Sequence, residues 1–137
     1  MEDIVLDSNL LLGYFLPQDP HHQRGQSYVN GLENGDYRFH LPMLVLVEVT
    51  SVISRQAQKD RLALLARWRK IFEDWERDGR IALYELDRQR MVNAQNVAEQ
   101  YRLKGADSVI AALAGELNIS LRTSDAEILA RFLGSSV

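Results

Sequence analysis

The stretch Ile4–Leu11 reads IVLDSNLL, three branched apolar residues that end in an acid and lead into a second apolar segment. The pattern predicts a short buried strand over Ile4–Asp7, because a continuous apolar run of this length is typical of a strand covered on both faces. Leu10–Leu16 then predicts one or two helical turns, which Pro17 ends. The stretch therefore places Asp7 at the carboxyl end of a first strand.

Strands and helices alternate along the rest of the chain. Three further strands are predicted at Tyr37–Leu41, Ile81–Leu86 and Ile119–Leu121, and a final strand is expected in the tail. Helices are predicted at His21–Leu32, Met43–Arg55, Asp60–Arg77, Arg88–Leu103, Asp107–Glu116 and Asp125–Phe132. Right-handed crossovers place helices on both faces of a parallel sheet. The sequence thus predicts one α/β domain over residues 1–137, a three-layer α/β/α sandwich around a parallel sheet.

The segment Met43–Arg55 carries two conflicting signals. Leu44–Val49 has the β-branched content of a strand. However, its apolar pattern continues through Val52 and Ile53, which is too long for a typical strand, and Pro42 suits the first position of a helix. We therefore expect a helix here.

Composition limits the classes of function. The chain of 137 residues is long enough to bury roughly two thirds of its unfolded surface. It has no cysteine, so disulfides and zinc–thiolate sites are excluded, and no window approaches the roughly 18 apolar residues of a membrane helix. The acidic start, Met1-Glu2-Asp3, lacks the basic region of a signal peptide. A cytoplasmic protein is expected.

Four acidic residues stand where a carboxylate is unusual: Asp7, Glu48, Asp107 and Asp125. Asp7 and Asp125 follow predicted strands, and Asp107 begins the helix that leads to the fourth strand. In open parallel sheets, ligands bind beyond the carboxyl ends of the strands. Glu48 lies on a largely apolar helix face, where a buried carboxylate requires a cation, a proton or a strong donor. The pattern predicts that the four acids share one site.

An oxygen-only site of this kind suits a hard divalent cation such as Mg²⁺ or Mn²⁺. One or two such ions can activate water and orient an in-line attack on a phosphodiester. The net charge of −3 is unfavourable for binding nucleic acid. Neutralisation of the four acids by metal would leave a charge of +1. The sequence therefore predicts a metal-dependent phosphodiester hydrolase.

Each acid also has an ordinary structural interpretation. Asp7 suits the cap of the first helix, and Asp107 is a favourable first-turn acid. Asp125 lies within Ser124-x-x-Glu127, which has the pattern of a capping box.

Glu48 has a different alternative, an ion pair. Its candidate partners are Arg55, two turns along the same predicted helix, and Arg38, from the second predicted strand.

Four short motifs together resemble those of PIN-domain nucleases. These are Ile4–Leu11, Pro42–Val49 (PMLVLVEV), Lys104–Ser108 (KGADS) and Arg122–Asp125 (RTSD). They occur in the order and spacing of that family and span nearly the whole chain. The family pattern of a strand ending in Asp, followed by Ser or Thr and Asn, is met without a substituted acid.

The resemblance implies an α/β/α sandwich with a five-stranded parallel sheet and Mg²⁺- or Mn²⁺-dependent hydrolysis of single-stranded RNA. It implies that the metal and its activated water are held by Asp7, Glu48, Asp107 and Asp125. Asn9 and Thr123 match the supporting polar positions of the family, and Ser8 is a further candidate to form a hydrogen bond with a ligand.

The size of the chain resembles the toxin of VapBC-type toxin–antitoxin pairs. This likeness implies a homodimer that an antitoxin protein inhibits by covering the active site with its tail. Alternatives are a stand-alone PIN-domain nuclease in RNA processing and a non-catalytic interaction module with the same fold.

Two other classes of protein fit less well. An aspartyl-phosphate phosphatase also begins with a strand that ends in Asp, but it needs a second Asp where this chain has Asn9. A phosphoacceptor receiver domain needs an Asp after a middle strand and a late Lys, whereas Ile81–Leu86 is followed by Asp87-Arg88-Gln89.

The histidines are not expected to bind metal. His21 and His22 are adjacent, so they do not share a helix face, and a solvated helix start is expected. His40 is expected in a strand without an acidic or histidine partner at ligand spacing.

An aromatic stripe and three basic residues complete the candidates. The stripe, Trp68, Phe72 and Trp75, has the spacing of a core-facing helix, with a partner-binding face as the alternative. Candidate phosphate contacts, with a solvated surface as the alternative for each, are Lys104, Arg55 and Arg122.

Overall fold

A computed structural model describes residues 1–56 and 59–134 of the chain. The strands are β1 (Glu2–Leu6), β2 (Tyr37–Pro42), β3 (Ile81–Tyr84) and β4 (Ser120–Arg122). The helices are α1 (Ser8–Phe15), α2 (His22–Glu33), α3 (Met43–Gln56), α4 (Arg61–Arg77), α5 (Arg88–Tyr101), α6 (Gly105–Leu117) and α7 (Ala126–Ile128), and α7 continues as the π-helical turns Leu129–Leu133. None of the described helices is long and apolar enough to cross a membrane.

The strands form a parallel sheet in the order β3-β2-β1-β4. Val5 of β1 pairs with His40 on one side and with Leu121 on the other. The chain moves outward from β1 to β2 and β3, and it returns to the opposite side of β1 only at β4. The order therefore reverses next to β1, so the carboxyl ends of β1 and β4 meet at the point where such sheets bind ligands.

Helices cover both faces of the sheet. Successive residues of a strand point to opposite faces. The ring of Phe39 meets Trp75 of α4 edge-on, with ring centroids 6.5 Å apart. The ring of the next residue, His40, lies 5.7 Å from that of Tyr84, which in turn lies below the guanidinium of Arg90 in α5. The expected layering is present, with α4 on one face and α5 on the other.

The described sheet has four strands, which corrects the expectation of five. The fifth strand was expected in the tail, and residues 135–137 lie outside the described ranges. The helix expected at Met43–Arg55 is confirmed as α3, but Pro42 is the last residue of β2 rather than the first residue of the helix. A strand end tolerates proline because its missing N–H costs no ladder hydrogen bond there.

The aromatic stripe of α4 belongs to the core. The exposed fractions of Trp68, Phe72 and Trp75 are 2%, 9% and 4%. Trp68 packs edge-on against Phe15 of α1, with ring centroids 5.1 Å apart. The alternative of a partner-binding face is therefore wrong for these residues.

Two glycines allow α2 to pack closely against α1. A Cβ on Gly25 would overlap the carbonyl oxygen of Leu10, and a Cβ on Gly13 would lie 2.6 Å from the carbonyl oxygen of His21. The imidazole Nδ1 of His22 donates to the Gly13 carbonyl oxygen over 2.7 Å. These contacts fix the first turn of α2 against the helix that begins at Ser8.

Candidate active site

Asp7 joins the end of β1 to the start of α1. Its backbone N–H donates to the carbonyl oxygen of Arg122 over 3.0 Å, which extends the contact between β1 and β4. Its Oδ1 accepts from the backbone N–H of Ser8 over 2.7 Å and caps α1. The side chain is 2% exposed. Asp7 is therefore a helix cap, as one interpretation held, and the cap itself lies at the predicted site.

Thr123 connects Asp7 to Asp125. Its hydroxyl donates to Oδ2 of Asp7 over 2.6 Å and accepts from the backbone N–H of Asp125 over 2.9 Å. Oδ1 of Asp125 then accepts from the backbone N–H groups of Glu127 and Ile128 over 2.9 and 3.0 Å. The N-cap of α7 is thus Asp125 itself, which corrects the capping box that began at Ser124.

Asp107 lies in the first turn of α6 and is half-buried. Burial, and then the charges of Asp125 and Asp7, raise the pKa of Asp107 to about 6. The ammonium of Lys104 opposes this shift. The charge of Glu127 raises the same pKa further, so Glu127 is a fifth nearby acid. Sequence reasoning had treated it only as part of a cap, and its sole signal was its place two residues after Asp125.

Glu48 projects from α3 and is half-buried. Burial and then the charges of Asp7 and Asp107 raise the pKa of Glu48, while the hydroxyl of Ser8 lowers it. Its Oε1 is buried and has no hydrogen-bond partner within the described ranges. The alternative of an ion pair with Arg38 or Arg55 is not seen, since no described residue forms a salt bridge with Glu48 and Nε of Arg38 is itself buried without an acceptor.

Electrostatic effects link the predicted acids in pairs: Asp7 with Asp125, Glu48 and Asp107, and Asp107 with Glu48 and Asp125. Burial, partly offset by the hydrogen bonds from Thr123 and Ser8, raises the pKa of Asp7, and the charge of Asp125 adds to the increase. The charge of Asp7 in turn raises the pKa of Glu48 and that of Asp107. Like charges held together at partly buried positions destabilise the ionised state unless a cation is present.

The donor chemistry of this site fits a hard divalent cation. Every candidate ligand is an oxygen atom, and two buried oxygens, Oε1 of Glu48 and Oδ1 of Asn9, lack a donor among the described residues. As placed, no three His, Cys, Asp or Glu side chains of the described ranges form a ready-made metal cage. Mg²⁺ does not need such a cage, because it keeps several waters and is usually held by one or two carboxylates.

The histidines serve the fold rather than the site. His40 corrects one expectation, since it does have an acidic partner. Its Nε2 lies 2.8 Å from Oδ1 of Asp3, and its Nδ1 lies 2.7 Å from the hydroxyl of Tyr84. Both ring nitrogens are thus used in a link between the three strands β1, β2 and β3. His22 begins α2, one residue after the predicted start at His21, and both histidines are half-buried rather than solvated.

The basic residues differ in their relation to the acids. Lys104 lies close enough to Asp107 to affect its pKa. Arg122 forms an ion pair with Glu2 over 2.8 Å, so its charge is already compensated, and Arg55 is exposed near the end of α3. Sequence reasoning missed Arg24 of α2, whose Nη1 donates to the hydroxyl of Ser124 over 2.7 Å. The two residues are 100 positions apart, so only the fold reveals the contact.

The sequence matches a family model described as PIN domain over residues 4–132. No curated protein gives a significant match.

Solved structures show the same fold at low identity. A structure of FitAB bound to a DNA fragment has a TM-score of 0.73 and 18% identity, and the match covers 98% of this chain and 91% of that one. VapC20 of Mycobacterium tuberculosis, described as a toxin that cleaves the sarcin–ricin loop, has a TM-score of 0.70 and 11% identity, with 93% of each chain covered. A toxin–antitoxin complex from Klebsiella pneumoniae has a TM-score of 0.68 and 16% identity, with 96% of this chain and 93% of that one covered.

Proposed function

The chain belongs to the PIN-domain family, and from this premise we propose that it is a Mg²⁺- or Mn²⁺-dependent endoribonuclease acting on single-stranded RNA. The observation that carries the proposal is the unbalanced charge at the carboxyl edge of the sheet. There, the pKa values of Asp7, Glu48 and Asp107 are all raised, and Glu48 has a buried oxygen without a donor. A bound divalent cation would offset the repulsion between the carboxylates and would give the buried oxygen of Glu48 a partner.

The candidate ligands are Asp7, Glu48, Asp107 and Asp125. When bound, the cation would lower the pKa of a water molecule and polarise a phosphoryl oxygen. Thr123 fixes one oxygen of Asp7, and the backbone of Ser8 fixes the other, so this carboxylate is held in one orientation. Preorganised groups of this kind need no rearrangement as charge develops in the transition state.

The remaining ligands complete the chemistry of the site. Oε1 of Glu48 is an acceptor with no competing protein donor in the described ranges. Without a cation, Asp107 exchanges a proton at its carboxyl near pH 6. Asn9 supplies a further buried oxygen beside Ser8 at the start of α1.

The test is cleavage of a labelled single-stranded RNA in the presence of Mg²⁺ or Mn²⁺. We expect cleavage by the unaltered protein and none with EDTA, Asp7→Asn or Asp107→Asn. Asp36→Asn is a matched control, because this exposed acid precedes β2 at the opposite edge of the sheet. Cleavage that survives both site substitutions, or that persists with EDTA, would contradict the mechanism. Absence of both Mn²⁺ binding and cleavage would favour the non-catalytic interaction module.

We further propose that the protein is the toxin of a toxin–antitoxin pair, acts as a homodimer in the cytoplasm, and is inhibited by a cognate antitoxin. The fold is shared with proteins described as toxins or toxin–antitoxin complexes. Large apolar side chains are also exposed, as is typical of surfaces that bind a partner. Met43 (43%), Leu86 (51%) and Met91 (39%) surround or adjoin a mainly apolar groove between the ends of β2 and β3 and helices α5 and α6.

Two measurements test the homodimer and the inhibition by an antitoxin. Light scattering after size exclusion is expected to give twice the 15.7 kDa mass of one chain, and a mass of one chain would contradict the dimer. Co-expression with a small adjacent reading frame is expected to abolish RNA cleavage. Cleavage that no neighbouring gene product inhibits would favour a stand-alone nuclease in RNA processing.

A further inference from the structure

Arg24 places a positive charge beside the candidate active site. Its side chain leaves α2 and donates from Nη1 to the hydroxyl of Ser124 over 2.7 Å. Ser124 lies between Thr123, which donates to Asp7, and Asp125, which caps α7. The guanidinium is therefore anchored next to Asp125, one member of the acid cluster Asp7, Glu48, Asp107 and Asp125.

The charge of Arg24 is not compensated within the described ranges. In the described ranges, the arginines that pair with a carboxylate are Arg77, Arg90, Arg122 and Arg131, and Arg24 is not among them. Arg24 is exposed, and its hydrogen bond is to a neutral hydroxyl. A guanidinium has five N–H donors, so most of them remain open to an anion.

The backbone that carries Arg24 is held rigidly. The next residue, Gly25, lies so close to α1 that a Cβ would overlap the carbonyl oxygen of Leu10. The helix it contacts is the one that Asp7 caps. The backbone of Arg24 is thus packed against the helix that Asp7 caps, and the hydrogen bond to Ser124 holds the guanidinium near the acids.

We propose that Arg24 binds a phosphate of the single-stranded substrate next to the cleaved bond and positions the strand over the acids. This inference rests on the proposed nuclease function. An acidic site repels a polyanion, so a cation at its rim is needed to hold the strand. A planar guanidinium can bind a phosphate through two parallel hydrogen bonds. Ser124 occupies one donor and orients the rest.

The test measures binding of a fluorescent single-stranded RNA in an Asp107→Asn background, in which the strand is bound but not cleaved. Adding Arg24→Ala is expected to weaken binding about 10-fold and to lower the slope of log affinity against log salt by about 0.7. Arg24→Lys keeps the charge and is expected to retain the slope with part of the affinity. Arg77→Ala is the matched control, because it removes an exposed arginine at the end of α4, by the amino end of β3.

A purely structural role is tested by the affinity for Mn²⁺ in the otherwise unaltered chain. Arg24→Ala is expected to leave that affinity unchanged. If Mn²⁺ affinity falls together with RNA binding, Arg24 holds the Thr123–Asp125 loop rather than the substrate, and the inference is overturned. RNA binding that Arg24→Ala does not alter overturns the inference alone. Failure of the starting protein to bind RNA overturns the proposed function as well.

Discussion

Two polar clusters lie on the same sheet, and their carboxylates respond to folding in opposite ways. At Asp3, the hydrogen bond from His40 is the main effect, and it lowers the pKa of the carboxyl. Both ring nitrogens of His40 are satisfied, since Tyr84 occupies the second. At the acid cluster, burial and neighbouring negative charges raise the pKa of Asp107 instead.

The difference distinguishes the Asp3–His40–Tyr84 cluster, which stabilises the fold, from the acid cluster, which destabilises it. A satisfied network in a partly buried setting stabilises the native state. Clustered like charges destabilise it, and proteins accept such a cost where a ligand is to bind. The unsatisfied cluster is therefore the candidate site, although His40 and Asp3 offer the more conspicuous metal-binding side chains.

The largest expected effect concerns Glu48. Glu48→Gln should lower the cleavage rate about 10³-fold, the scale of loss when a group that stabilises charge in the transition state is removed. The fold should be kept, because the substitution removes a half-buried charge that has no ion pair in the described ranges. Cleavage rates under saturating Mn²⁺ test this, with Glu76→Gln of α4 as an exposed control. A rate within a few-fold of the unaltered protein would remove Glu48 from the mechanism.

Metal binding should stabilise the protein by reducing the electrostatic repulsion among the carboxylates of the acid cluster. Mn²⁺ at 100 times its Kd is expected to stabilise the protein by about 2.7 kcal/mol. Thermal unfolding with and without Mn²⁺ measures this shift, which Asp107→Asn should largely abolish and Asp3→Asn should leave intact. An equal shift in both variants would place the metal elsewhere.

The protein should lose folding stability when His40, the residue that joins Asp3 to Tyr84, is removed. His40→Ala is expected to cost about 2 kcal/mol, because it leaves the hydroxyl of Tyr84 and the carboxylate of Asp3 without their shared partner. Urea unfolding measures the cost, and Tyr84→Phe should show a smaller loss. RNA cleavage should persist in the folded fraction, and selective loss of cleavage would join the two clusters functionally.

The smallest expected effect is a change in folding stability, and it should have opposite signs for substitutions at the two clusters. Without metal at pH 8, Asp107→Asn should stabilise the protein by about 1 kcal/mol, a value reduced for the solvent screening of a half-buried carboxyl. Asp3→Asn should destabilise it instead. The same two thermal melts, repeated across pH, provide the measurement.

The pH dependence follows from the direction of the shift at Asp107. Its folded pKa of about 6 lies above the ordinary value of 3.8. The stability associated with its protonated form is complete below about pH 4 and is lost as the pH rises through about 6. Asp107→Asn should remove this decline in the metal-free protein. A decline that is unchanged in Asp107→Asn would assign the effect to another group.

Local pattern predicted the element order well. The apolar run of β1, the long apolar pattern of α3 and the aromatic spacing of α4 each identified the right element type. The strand β1 is buried on both faces, and the two helices each bury one face. The boundary errors arose at polar residues. Ser8 already begins α1, and Pro42 still belongs to β2. At such boundaries, capping and ladder hydrogen bonds decide, and apolar periodicity carries no information about them.

The sequence by itself determined the fold class and the family resemblance, and the family match over residues 4–132 confirms the resemblance. It also singled out the four acids, whose role stays a prediction. These depend on local pattern and on the order of short motifs. Only the tertiary structure decided which groups interact across the chain, because hydrogen bonding and electrostatic coupling depend on distance in space. It joined Thr123 to Asp7, gave His40 its acidic partner, and brought Arg24 to the edge of the acid cluster.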